Sequence, residues 1–72
     1  MNIYFVSVLT HGYDEYDSHV VFAETPSIAR KVAQTKVGDE GQEPWKTAKV
    51  KLIGVATNRK TRGIILSSFN AG

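Results

Sequence analysis

Gly12 is followed by Tyr13-Asp14-Glu15-Tyr16-Asp17, two phenol rings set among three carboxylates. Residue types of this kind can form a recognition rim. The flat rings of Tyr13 and Tyr16 stack on a planar ligand, and Asp14 and Asp17 accept hydrogen bonds from ribose hydroxyls or exocyclic amines. The plainer reading of the same residues is a solvated hairpin loop, with Asp and Gly supplying turn chemistry and the rings lying over the strand ends. A calcium loop is disfavoured because the D-x-[DN]-x-[DN]-G pattern is absent.

A second cluster has the opposite charge. Asn58-Arg59-Lys60-Thr61-Arg62-Gly63 places three cations in six residues. Arg59, Lys60 and Arg62 suit phosphate oxygens, Arg through its forked guanidinium and Gly63 by freeing backbone N–H groups. Basic hairpin tips also occur merely for solubility. With Lys46, Lys49 and Lys51 the cluster would form a nucleic-acid strip, but no aromatic residue is interleaved with the lysines and the net charge is only +2, so that reading is disfavoured. The closing Ser67-Ser68-Phe69-Asn70 adds hydroxyls, an aromatic anchor and an amide. Trp45 is expected to pack on the helix or a sheet edge, with ligand stacking as the alternative.

Catalytic equipment is sparse. His11 and His19 lie eight apart with Ser7, Ser18 and Asp17 nearby, yet there is no nucleophile elbow, no paired metal-ligand spacing and no Gly-rich phosphate loop. His19 reads as a strand residue hydrogen-bonded to a neighbour. A chain this short also encloses a water-excluded site poorly. No enzyme activity, cofactor or metal is expected.

The elements that must position these groups follow from periodicity. Asn2 to Thr10 alternates as a strand, with Ile3, Phe5, Ser7 and Leu9 on one face and Tyr4, Val6 and Val8 on the other. A turn over His11 to Tyr16 leads to a second strand, Asp17 to Glu24, whose His19, Val21 and Ala23 oppose Val20 and Phe22. Thr25-Pro26 then opens a helix to about Val37, with Ile28, Ala29, Val32, Ala33 and then Lys36 or Val37 as its stripe and Gly38 as its stop. Gly38 to Trp45 reads as a loop. Lys46 to Thr57 and Ile64 to Phe69 read as strands three and four, Gly54 marking a bulge or a close backbone approach.

The expected fold is therefore α+β: a β-β-α-β-β single domain over residues 1–72, one mostly antiparallel sheet with a single helix on one face. Several strands are apolar on both sides, the pattern of a sheet covered twice. One helix covers one face. The expectation is that a second copy covers the other, sheet to sheet or edge to edge, unless the open face merely reflects strand propensity.

Composition bounds the rest. The chain has 72 residues and no Cys, so disulfides cannot supplement a small core, and nothing requires an oxidising compartment. Ile3 to Leu9 is apolar but has no preceding basic residue and is too short to span a bilayer. A cytoplasmic protein without a membrane partner is expected. Charge is sorted along the chain. Residues 1–29 carry Asp14, Glu15, Asp17 and Glu24 without a Lys or Arg, whereas 44–72 carry six cations and, beyond Glu43, no acid.

The segments GYDEYDS, VVFAETPSIARKVA and GIILSSFNAG resemble a group of small phage- and prophage-encoded proteins to which no activity is attached. The resemblance runs over nearly the whole chain and is weakest from Gly38 to Trp45. It implies a virus-encoded accessory protein working in the bacterial cytoplasm, and an authentic Asn70-Ala71-Gly72 ending. Such proteins generally act by occupying a host defence protein or its nucleotide signal, an analogy rather than a deduction. The resulting expectation is a homo-oligomer that sequesters a phosphorylated nucleotide-type signal, with Tyr13, Asp14, Tyr16, Asp17, Arg59, Lys60, Arg62, Ser67, Ser68, Phe69 and Asn70 around the ligand. The alternative is an anti-CRISPR-like inhibitor that docks on a host defence protein.

Overall fold

The computed structural model describes residues 1–9, 12–58 and 61–71. Its elements run β1 (Asn2–Ser7), β2 (Glu15–Ala23), α1 (Pro26–Ala33), α2 (Glu43–Lys46), β3 (Lys49–Val55) and β4 (Gly63–Asn70). The four strands form one sheet in the order β3-β1-β2-β4, antiparallel at every junction. The α+β class is as expected. The single helix is not: the described residues form two.

The alternation read from the strands holds in space. Tyr4, Val6, Val21 and Ala23 are buried together with Ala29, Val32 and Ala33 of α1 and with Trp45 and Ala48. Helix α1 starts as its sequence dictates. The Thr25 hydroxyl accepts the Ile28 N–H at 3.2 Å and Pro26 occupies the first turn, where its missing N–H costs nothing. The helix stops at Ala33, earlier than expected, where the Thr35 hydroxyl donates to the Val32 carbonyl at 2.6 Å. Gly38 is therefore not the helix stop.

Gly38 has another task. A Cβ there would collide with the backbone carbonyl of Asp14, whose oxygen also accepts the Asp39 N–H at 2.8 Å. The glycine lets the segment after α1 lie directly against the β1–β2 turn. Five residues after Gly38 the expected loop coils into α2, and Lys46 belongs to this helix rather than to strand three. Glu43-Pro44 suits a first helical turn, and burying Trp45 holds the turn in place. The Arg30 Nε donates to the Ala48 carbonyl at 2.9 Å and ties α1 to the start of β3.

Both helices lie on the same face of the sheet. The opposite face carries Ile3, Phe5, Val20, Phe22 and Leu66, with Phe5 38% and Leu66 66% exposed. The register slips once between β1 and β3, leaving Ile53 as the extra residue beside Gly54, and twice between β2 and β4, leaving Ile65 and Asp17 as the extra residues. The slip at Asp17 turns Tyr16 onto the helix side, opposite Phe69.

Candidate functional site

At the centre of the helix side is His19, fully buried. Its ring stacks on Trp45, centroids 4.6 Å apart, and leans on Tyr16 at 5.2 Å. Nε2 is 2.9 Å from the Lys36 carbonyl oxygen, which can only accept, so this nitrogen carries the proton. Nδ1, 2.7 Å from Ser67 Oγ, then accepts from the hydroxyl. Burial lowers the His19 pKa against the opposing pull of the Lys36 carbonyl. The ring is a neutral, fully bonded core group, as its strand position suggested.

Beside it, Glu40 gathers three donors. Its Oε1 accepts from the backbone N–H groups of Tyr16 (3.1 Å) and Gly38 (2.9 Å), and its Oε2 accepts from Trp45 Nε1 at 2.8 Å. Burial would raise this carboxyl, but the Trp45 indole and the backbone donors outweigh it and hold the pKa below the ordinary value. Trp45 is thereby spoken for on its face and its edge, and ligand stacking is not its role. Sequence reasoning missed Glu40 entirely, since an acid in a Gly- and Pro-containing stretch reads as a solvated loop residue.

The turn at Gly12–Asp14 and the first residues of β2, which starts at Glu15, are braced rather than free. Asp14 takes a left-handed conformation (φ 60°), and its N–H donates to the Asn70 carbonyl at 2.6 Å. Asn70 Nδ2 donates to the Gly12 carbonyl at 2.8 Å, and Gly12 N–H donates to Glu15 Oε1 at 2.9 Å. Tyr13 projects outward, 70% exposed. Tyr16 folds inward against Phe69 at 4.6 Å, with Lys36 Nζ 5.5 Å from its ring centre. Asp17 Oδ1 accepts from the Ser18 hydroxyl. Ser68 sits opposite Ser18 on the open face.

The expected site residues do not converge within one chain. Glu15 pairs with Asn70 at one end of the β2–β4 ladder and Phe22 with Gly63 at the other, so at about 3.4 Å per residue Arg62 stands ~25 Å from the turn at Asp14. Tyr16 and Ser67 contact His19, and Phe69 packs on Tyr16, so these polar and aromatic contacts are internal. Arg62 instead holds Glu24 at 2.6 Å, a contact that lowers the Glu24 pKa. Arg59, Lys60 and His11 lie outside the described residues.

A groove that the sequence did not signal runs between α1 and β4. It holds about 570 Å³ and is lined by Ile28, Val32 and Ile64 at its floor and by Lys31, Thr35, Lys36, Arg62 and Gly63 around them. Neither Lys31 nor Lys36 has an ion-pair partner among the described residues. In the sequence, Ile28 and Val32 read only as core stripe. Chemically the groove offers an apolar bed, a hydroxyl and three cations, which suits an anion attached to a flat or apolar body.

For catalysis the arrangement offers little. The His19–Ser67 pair has the reach of a base and a nucleophile, but neither residue lines this groove or the smaller notch between the end of β1 and α2. No group of three potential metal ligands exists among the described residues, and no helix is long and apolar enough to cross a membrane. No family model, curated protein or solved structure matches the chain.

Proposed function

We propose that the protein is a non-enzymatic binding module that sequesters a phosphorylated nucleotide-type signal. It would serve as a phage-type accessory protein against host defence in the bacterial cytoplasm, acting as a homo-oligomer. The groove between α1 and β4 carries this reading. Ile28, Val32 and Ile64 support an apolar or planar body, while Lys31, Lys36 and Arg62 receive phosphate oxygens. Arg62 exchanges its exposed Glu24 contact for the ligand, a swap of low cost because surface ion pairs are worth about 0–1 kcal/mol. The aromatic and acidic turn belongs to the site only if another copy brings it near, since within one chain it lies at the far end of the ladder.

Titration calorimetry against cyclic di- and trinucleotides and ADP-ribose derivatives tests the reading. At least one should bind, and Lys31→Glu or Lys36→Glu should weaken that binding roughly tenfold or more, about 1.4 kcal/mol each. Absence of heat with every member of the panel removes the proposal.

A protein-docking inhibitor is the second reading, favoured by the uncovered face holding Phe5 and Leu66. It predicts that Phe5→Lys abolishes capture of a host defence protein while leaving the groove intact.

A further inference from the structure

The sheet ends in two free edges, and they differ. Edge β3 is interrupted by Lys49 and Lys51, both exposed, the kind of charge that discourages strand pairing. Edge β4 has none. Its eight residues, Gly63–Asn70, contain no charge and no Pro, and Ile65, Leu66 and Phe69 are 46%, 66% and 46% exposed. A strand of that length and polarity at a sheet edge presents unpaired backbone N–H and C=O groups to any matching strand.

We infer that the matching strand is β4 of a second copy, paired antiparallel about a two-fold axis so that two four-stranded sheets become one of eight. The inference deepens the oligomeric ligand-binding reading above and rests on it. Charge selects the occupant. Along β4 the Asn70 end is bound to the acidic segment of Asp14 and Glu15, and the Gly63 end adjoins the groove with Lys31 and with Arg62, whose guanidinium also holds the exposed Glu24. Antiparallel self-pairing sets the acidic end of each copy beside the basic end of the other, whereas parallel pairing would set like beside like.

The pairing also acts on the site. Gly63 and Ile64 line the groove and belong to β4 itself, so a strand added at that edge extends the β4 side of the groove. It also delivers the partner's Tyr13–Asp17 turn to the Arg62 end, joining residue types that a single chain keeps apart.

Light scattering on the ligand-free full chain, from about 1 to 500 μM, should report twice the single-chain mass at the upper end. Ile65 has no register partner on β2, so Ile65→Lys puts a charge on the free edge without breaking the β2–β4 ladder, and should yield a folded monomer. Phe5→Lys, on the uncovered face, should leave the dimer intact. Amide hydrogen exchange of the wild type supplies a reading that needs no variant: β4 amides gain protection with concentration and β3 amides do not. A monomer throughout overturns the inference. So does a dimer that survives Ile65→Lys or yields to Phe5→Lys, since either places the contact elsewhere. Because mass is read without ligand and heat separately, loss of the edge pairing and loss of ligand binding are told apart.

Discussion

His19 is the residue whose chemistry reaches furthest into the stability of the protein. Its proton is placed on Nε2 by a carbonyl, its Nδ1 is occupied by a hydroxyl, and its face is covered by Trp45. A second proton would have to enter a buried ring whose partners Lys36 and Ser67 offer no negative charge, with Glu40 and Asp17 pulling weakly the other way. The folded state therefore binds that proton less readily than the unfolded chain, whose imidazole titrates near 6.5. Stability is fully present above that pH. It declines as pH falls below it, by up to about 1.4 kcal/mol per unit, until the lowered folded pKa is reached. Urea midpoints measured at about pH 7.5 and about pH 5.5 should differ accordingly, and His19→Gln should flatten the difference. A wild-type midpoint that does not move over this interval would refute the account.

Among the elements, the segment between α1 and α2 does more than connect them. Gly38 passes against the Asp14 carbonyl, Asp39 donates to it, and Glu40 reaches back to Tyr16 and across to Trp45. One short stretch thus clamps the β1–β2 turn, the start of β2 and α2. Gly38→Ala drives a methyl group into backbone rather than into a movable side chain, so the clamp must open. The expected loss is about 2–4 kcal/mol by thermal or chemical unfolding, with tyrosine and tryptophan signals changing together. A loss under about 0.5 kcal/mol, the range of an ordinary surface change, would show that the contact is easily relieved.

For the whole molecule, the decisive feature is the asymmetry of its two faces and two edges. The helices cover one side of the sheet, while Phe5 and Leu66 remain on the other. Of the edges, only β4 is free of charge. If copies pair as proposed, association adds stability by mass action. The melting temperature should rise by several degrees per hundredfold increase in concentration, since about 1 kcal/mol moves a domain of this size by 4–8 °C. A melting temperature constant over that range would argue that the exposed apolar residues reflect strand propensity alone.

Much of this architecture was legible in the sequence. Alternation sorted His19, Val21 and Ala23 from Val20 and Phe22, and Thr25-Pro26 marked the start of α1, because side-chain period and capping are local properties of the backbone. The second helix was not legible, although Trp45 was expected to pack: Glu43-Pro44-Trp45-Lys46 is a weak helix former held in place because the indole finds Glu40, five residues away, and His19, distant in the chain. The same holds for the candidate site. The residue types able to bind a phosphate or a planar ring stood out in the sequence, but strand order β3-β1-β2-β4 separates the acidic turn from Arg62 and opens a groove along α1 instead. Periodicity assigns each residue a face. Which faces meet depends on the order of the strands, set by long-range packing to which no local pattern corresponds.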